Sequence, residues 1–277
     1  MTAHSSRQLR DRAAARLNSA LEAELLLAEA LGRSRAWLYA RLDEPVEDPD
    51  ADRFRVLLDR RLAGEPIAYI LGRREFYGRD FQVDASVLIP RPETELVVEL
   101  ALRLGGPQPK EVADIGTGSG CIALTLAAER PDWQVAATDI SAAALAVAER
   151  NRQALALSNV QLACGDLFAP LAHRSFDLIV SNPPYVAEQD PHLSRGDLRF
   201  EPRVALSCAE DGLAVIQRLV AQARDHLHSG GYLVLEHGHD QATGVSAVFD
   251  RQGFSDVRTH DDLNGIGRVT LGRWRGD

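Results

Sequence analysis

From about residue 110 onward, short apolar runs of strand length alternate with longer stretches of helical periodicity, and this alternation limits the possible folds more than any other feature of the chain. Residues 112–115, Gln134–Asp139, Val160–Cys164 and 176–180 read as strands, with helices over 119–129 and, Ala-rich, over 141–157. A further helix over 213–228 ends at Gly230-Gly231 and leads into a strand over 232–236. A helix over 241–252 and two terminal strands near Val257 and over 269–271 complete the series. Strands and helices repeating in this order build a parallel sheet with helices on both faces, a Rossmann-like α/β fold.

The front of the chain follows a different period. Over residues 7–63 Leu21, Leu25, Leu26 and Ala28 recur at helical spacing, as do Phe54, Leu57, Leu58, Arg61 and Leu62. Gly32, Asp43-Glu44-Pro45 and Asp48-Pro49 supply turns and helix starts, so four or five helices are expected, a packing or partner-docking module. Gly64-Glu65-Pro66 then breaks the helix. Residues 74–77 and 80–83, separated by Gly78-Arg79, fit a short β-hairpin. Pro90 and Pro92 hold the following backbone extended up to a helix beginning near Glu93. The organisation expected is an N-terminal helical docking domain over 1–73, a hairpin linker over 74–89 and a catalytic domain over 90–277.

Charge and cysteine usage exclude several classes of protein. The 277 residues carry 31 basic and 40 acidic side chains, a formal net charge of −9. A protein whose affinity comes from neutralising many phosphates would want a basic surface instead. Cys121, Cys164 and Cys208 are widely spaced, and read as reduced thiols rather than as disulfides or a zinc site. Cys121 and Cys164 stand in apolar contexts where buried, inert thiols are expected. The first 16 residues are polar and rich in Arg, unlike a secretory signal, and no stretch approaches the ~20 apolar residues of a membrane span. A cytoplasmic protein is expected, with no membrane partner.

The first strand of the series runs into Asp114-Ile115-Gly116-Thr117-Gly118-Ser119-Gly120, which opens a helix. Glycines there let the backbone turn tightly and approach a ligand without a side chain in the way. Asp139 ends the second strand, where a carboxylate can accept from both hydroxyls of a ribose. This much suits nicotinamide and S-adenosylmethionine cofactors alike. Two details favour S-adenosylmethionine: the loop is Gly-x-Gly-x-Gly after an acidic residue, and Asp166 at the end of the third strand can accept from an adenine amino group. Leu167 would offer its backbone N–H and an apolar wall to the same ring. Both details match the pattern of class I methyltransferases.

The fourth strand ends in Ser181-Asn182-Pro183-Pro184-Tyr185, and ligands of open α/β sheets bind at such carboxyl ends. An amide or aniline-like nitrogen is a poor nucleophile because its lone pair is delocalised. Two acceptors that grip its N–H bonds aim the lone pair at an incoming methyl and stabilise the charge that develops. The Asn182 side-chain oxygen and the Pro183 carbonyl can form that pair. Pro183 and Pro184 stiffen the backbone, and Tyr185 can lie against a flat target group. No titratable base is present in the motif; a proton can leave after the methyl arrives.

At this point the chain closely resembles the bacterial peptide chain release factor N5-glutamine methyltransferases, over nearly its full length. The resemblance rests on Gly64-Glu65-Pro66-Ile67-Ala68-Tyr69, Arg74-Glu75-Phe76 and Leu88-Ile89-Pro90-Arg91-Pro92-Glu93-Thr94-Glu95 ahead of the glycine loop. It continues through Asn182-Pro183-Pro184-Tyr185, Glu188-Gln189-Asp190-Pro191-His192-Leu193, Phe200-Glu201-Pro202, Glu236-His237-Gly238 and Arg268-Val269-Thr270-Leu271-Gly272-Arg273. It implies a class I S-adenosylmethionine-dependent sheet with an N-terminal all-helical domain. It also implies methylation of the glutamine amide in the Gly-Gly-Gln loop of class 1 release factors, without direct nucleic-acid recognition, by a chain expected to be monomeric. By the same resemblance, Gly116, Thr117, Gly118, Ser119, Gly120, Asp139, Leu167 and Asn182 would contact the cofactor, beside Asp166 as read from its strand end. Asn182, Pro183, Pro184 and Tyr185 would bind the glutamine, with Asn182, Pro183 and Tyr185 taking part in catalysis. Some relatives carry Trp where this chain has Leu167, which alters stacking on adenine rather than the reaction.

Rival readings are an adenine-N6 nucleic-acid methyltransferase, a ribosomal-protein glutamine methyltransferase, a non-catalytic binder of ribosomal factors, and a dehydrogenase. A base-modifying enzyme on duplex DNA must extrude its base and grip phosphates, which the acidic charge disfavours. His226 and His228, and His237 and His239, lack a neighbouring ligand set at metal spacing, so no metal is expected. His226 and His228 are expected to close a helix, where imidazolium suits the dipole. Arg91, Glu93 and Glu95 are read as lining the cofactor entrance, with simple capping by Glu93 and Glu95 as the alternative.

Overall fold

A computed structural model describes residues 4–208 and 212–276, and the chain divides into two compact units, Met1–Arg73 and Arg74–Asp277. The first unit is helical: α1 (Ser6–Leu17), α2 (Ala20–Leu31), α3 (Arg35–Ala40), α4 (Asp48–Leu62) and α5 (Ile67–Leu71). Its helix ends follow from local chemistry. Ser5 and Gln8 form a reciprocal capping box on α1, Ser19 and Ser34 cap α2 and α3, and Gly32 ends α2 in the left-handed region. Leu26, Leu27, Leu38, Phe54, Leu58 and Ile70 form its core. Two residues of the expected stripes turn outward, Leu21 and Leu62, while Arg61 pairs with Glu22 across α4 and α2.

The hairpin strands are β1 (Arg73–Phe76) and β2 (Arg79–Gln82). Its turn is Tyr77-Gly78, one residue earlier than expected, because a two-residue hairpin turn of this kind needs positive φ twice; these are 52° and 73°. Phe76 and Phe81 pack edge to face and belong to the core of the second unit, so the hairpin is part of that unit's packing. A 3-10 turn (Pro92–Thr94) leads directly into α6 (Glu95–Gly105).

The remaining elements form the sheet and its covers. In chain order these are β3 (Glu111–Ile115), α7 (Cys121–Glu129), β4 (Gln134–Asp139), α8 (Ala142–Ala154), β5 (Val160–Cys164) and β6 (Phe176–Ser181). The short α9 (Arg203–Leu206), α10 (Ala214–Ala223), β7 (Leu227–Glu236), α11 (Ala242–Arg251), β8 (Ser255–Asp261) and β9 (Gly267–Arg273) follow. The strand order is β5-β4-β3-β6-β7-β9-β8. Strands β5 to β7 are parallel, whereas β9 runs antiparallel to β7 and β8 antiparallel to β9. The sheet is therefore mixed at one edge rather than wholly parallel.

Side chains along the central strands alternate between two apolar layers, as period-two geometry requires. Val112, Val135, Leu178 and Val180 face one layer, and Ala113, Ile115, Ala136 and Ile179 the other. The expected helix over 213–228 is shorter. It ends at Ala223, passes through a 3-10 turn (Arg224–His226), and Leu227 already pairs with Phe176 in the sheet. His226 thus closes no α-helix: it stacks on Phe168 at 4.6 Å, and its Nδ1 meets the Arg174 carbonyl at 2.9 Å. Cys164 is exposed, contrary to expectation, while Cys121 is buried. The chain order departs in opposite directions from β3 and β6, and this reversal opens a crevice at their carboxyl ends.

Candidate active site

The crevice holds a cavity of about 240 Å³ whose lining includes Gly116, Thr117, Gly118, Ser119, Asp139, Asp166, Leu167, Asn182 and Pro184. Gly116, Gly118 and Gly120 all have positive φ. A Cβ built on Gly116 or Gly118 would meet nothing within 4 Å, so both point bare backbone at the cavity. Gly120 does a different job. It does not line the cavity but starts α7, and its Cβ would come within 2.8 Å of Leu124. The loop is tied from behind: Asp114 accepts from the Thr117 hydroxyl at 2.7 Å and from the Ala123 amide at 3.2 Å. Burial pushes the Asp114 carboxyl up to about 7.

Asp139 accepts from the amides of Gly118 at 2.9 Å and Ser141 at 2.8 Å, which fixes both carboxylate oxygens at the cavity wall. Asp166 also lines the cavity, but its carboxylate pairs with Arg218 of α10, 52 residues away in sequence. Leu167 adopts a left-handed φ of 48° and lines the cavity beside it.

Asn182 sits at the end of β6, between the glycine loop and the 3-10 turn before α6. Its Nδ2 donates to the Thr94 hydroxyl at 3.1 Å, which leaves Oδ1 as the end of the carboxamide available to a ligand. Pro183 is buried, and neither it nor Tyr185 lines the cavity. The Tyr185 hydroxyl instead donates to Glu236 at 3.2 Å, and burial raises the tyrosine's pKa. The Tyr185 carbonyl accepts from Gln241 Nε2 at 2.9 Å, and Gln241 Oε1 in turn accepts from the Gly238 amide at 2.8 Å. Gly212 comes close to the same carbonyl, where a Cβ would stand 2.4 Å away. The stretch after Pro184 is thus clamped from two sides.

Two family models match the chain: the PrmC N-terminal domain over residues 4–72 and the Methyltransferase small domain over residues 94–196. Release factor glutamine methyltransferase of Bordetella pertussis is 50% identical over 254 residues, 91% of this chain and 94% of the relative. The protein of the same name from Xylella fastidiosa (strain Temecula1) is 49% identical over 257 residues, 92% of this chain and 94% of its own length. The chain belongs to the release factor glutamine methyltransferase family. Among solved structures, a T. thermophilus 16S rRNA methyltransferase in complex with AdoMet and guanosine shares the fold, with a TM-score of 0.55 at 21% identity over 73% of this chain and 50% of that one.

Family membership gives the signature residues outside the glycine loop a physical reading. Arg91 lines the cavity and bonds Glu201 at 2.5 Å, and Glu201 is buried and also accepts from the Ile89 amide at 3.0 Å. Phe200-Glu201-Pro202 therefore fastens the Leu88-Ile89-Pro90-Arg91 stretch. Glu95 accepts from the Tyr77 amide at 2.9 Å, and neither Glu93 nor Glu95 makes a side-chain cap. His237 is enclosed between the Gly238 carbonyl and the Thr270 hydroxyl, both at 2.9 Å, and burial lowers its pKa.

Asp114, Thr94, Arg218 and Glu236 take part in the site although none was singled out by role from the sequence. Three of them lie inside quoted motifs. Glu236 had a usable signal, a lone carboxylate ending the apolar run Leu233-Val234-Leu235. Arg218 had none, since it sits on an ordinary amphipathic helix.

Proposed function

We propose that this protein transfers the methyl group of S-adenosylmethionine to the side-chain amide nitrogen (N5) of the glutamine in the Gly-Gly-Gln loop of class 1 peptide chain release factors. The observation that carries this reading is the Asn182 carboxamide, held by its nitrogen at the mouth of a glycine-lined cavity so that its oxygen is offered to a planar N–H donor. The cavity suits the cofactor: open space beside Gly116 and Gly118 admits a close-lying ligand, and Asp139 can take ribose hydroxyls. Gly116, Thr117, Gly118, Ser119, Asp139, Asp166 and Leu167 would hold it, with Gly120 shaping the loop. When bound, S-adenosylmethionine supplies an electrophilic methyl on a sulfonium.

The chain's own residues orient the acceptor. Asn182 Oδ1 and the Pro183 carbonyl accept the two amide N–H bonds, which directs the nitrogen lone pair and favours the charge that develops on it. Pro183 and Pro184 keep that carbonyl in a fixed direction, and Tyr185 supports the flat amide. The helical unit, residues 1–73, seats the release factor, and the enzyme works as a monomer in the cytoplasm without reading nucleic acid.

A labelled methyl donor offered with release factor, ribosomal proteins or duplex DNA tests the assignment. Label is expected in release factor alone, and label in either other acceptor with none in release factor would reverse it. Removing residues 1–72 should raise the release factor KM by at least about tenfold at unchanged cofactor affinity. An unchanged KM would deny the helical unit its docking role.

A further inference from the structure

S-adenosylmethionine carries a sulfonium cation, and the S-adenosylhomocysteine left after transfer carries a neutral thioether in its place. How strongly a site prefers donor over product therefore depends on the charges around it. Among the described residues, four charged side chains line the cavity: Arg91, Asp139, Asp166 and Arg218. Both arginines are cancelled. Arg218 pairs with Asp166, and Arg91 pairs with Glu201, a side chain that does not itself line the cavity. What remains is Asp139, whose carboxylate is held by the amides of Gly118 and Ser141. The wall thus keeps one net negative charge.

The two ion pairs differ in their surroundings. Arg218 and Asp166 are 52% and 48% exposed, so solvent screens them. The Glu201 side chain is 0% exposed, and its two oxygens accept from Arg91 Nη2 at 2.5 Å and from the Ile89 amide at 3.0 Å. Arg91 also stands close in the fold to Asn182. Its carbonyl accepts from the Thr94 amide at 3.1 Å, and the Thr94 hydroxyl accepts from Asn182 Nδ2 at 3.1 Å. The enclosed pair therefore lies toward Asn182, and the screened pair lies beside Leu167.

We propose that Glu201 is a specificity-determining residue for the cofactor: by cancelling the charge of Arg91 it leaves the Asn182 end of the cavity open to a sulfonium, and so favours the methyl donor over the demethylated product. This inference rests on placing the cofactor in this cavity with its sulfur toward Asn182. A guanidinium keeps its charge at any working pH, so without Glu201 a bare cation would face the sulfonium in a cavity of about 240 Å³. The product has no charge at that atom and is not repelled. If Glu201 did no more than fasten the Leu88-Ile89-Pro90-Arg91 stretch, its loss would weaken donor and product alike.

Calorimetry of the full chain with S-adenosylmethionine and with S-adenosylhomocysteine tests the proposal, read as the ratio of the two dissociation constants, with a melting curve for each variant. Glu201→Gln keeps the volume and uncovers the Arg91 charge. It should weaken the donor relative to the product on the order of tenfold. Arg91→Met combined with Glu201→Gln removes both charges and should return the ratio to within about threefold of wild type. Arg91→Met alone leaves the carboxylate and should shift the ratio toward the donor. A wild-type ratio in Glu201→Gln, or a shift that persists in the double variant, would overturn the proposal and leave the pair as a fastening. Should Glu201→Gln prove unfolded, Arg91→Met decides by sign: a ratio unchanged or moved toward the product would overturn it. Gly118→Ala checks the placement beneath, since the added methyl should weaken both cofactors alike. Unchanged affinity for both would remove the cofactor from this cavity, a failure distinct from that of the charge argument.

Discussion

Asp114 and Glu236 are two fully enclosed carboxyls beside the site, one behind the glycine loop and one bonded to the Tyr185 hydroxyl. Burial pushes each up to about 7, above the range of an exposed carboxyl. The folded chain therefore binds these protons more tightly than the unfolded chain does. Their stabilising contribution is complete below the unfolded values near pH 4 and is lost as pH rises through about 7. Melting temperature should consequently show a downward trend over that window, and Asp114→Asn or Glu236→Gln should flatten it; an unaltered trend in both variants would show that neither group titrates there. At the chemical centre, Asn182→Ala should raise the methyl-transfer barrier by about 2–4 kcal/mol while cofactor affinity changes little. Asp139→Ala should do the reverse and weaken cofactor binding first, which calorimetry would separate from turnover. Near-wild-type turnover by Asn182→Ala would dismiss the two-acceptor account.

Glycine loops are often treated as uniform, yet the loop between β3 and α7 divides into two kinds of position. Gly118 has a φ of 57° with nothing within 4 Å of an added Cβ, whereas Gly120 has a φ of 84° and crowds Leu124 and Ala148. Gly118→Ala should fold with a backbone cost of about 1–2 kcal/mol and lose cofactor affinity, since the new methyl enters the cavity. Gly120→Ala should add packing strain of about 1–3 kcal/mol to the same backbone cost, and so lower the melting temperature further. Equal melting temperatures for the two variants would contradict this division. The loop itself, with Asp139 and Asn182, was legible in the sequence because each stands at a strand end where the apolar period stops. The parts that were not legible depend on pairing across the fold. The antiparallel direction of β8 and β9 leaves no mark in a period-two pattern. The strand start at Leu227 follows from its pairing with Phe176, although Arg224-Asp225-His226 alone would suit a continuing helix. Asp166 likewise pairs with Arg218 only because the fold brings α10 to the same cavity wall.

On the scale of the whole chain, two kinds of architecture are present. A helical unit of modest core accompanies a sheet whose two apolar layers fix β3 and β6 side by side, and this adjacency brings Gly116, Asp139 and Asn182 to one cavity. In the proposed role, the carboxamide of Asn182 suits a delocalised nitrogen and does not choose between adenine and glutamine. That choice rests on the net charge of −9, which offers little to a phosphate backbone, and on a family whose relatives match more than nine-tenths of the chain. The central claim is accordingly about one nitrogen on one side chain. Its most direct test is tandem mass spectrometry of release factor peptides after incubation with the enzyme and S-adenosylmethionine. The account predicts a single added methyl on the side-chain amide of the Gly-Gly-Gln glutamine, and an unmodified glutamine with the methyl on another residue, or none at all, would contradict it.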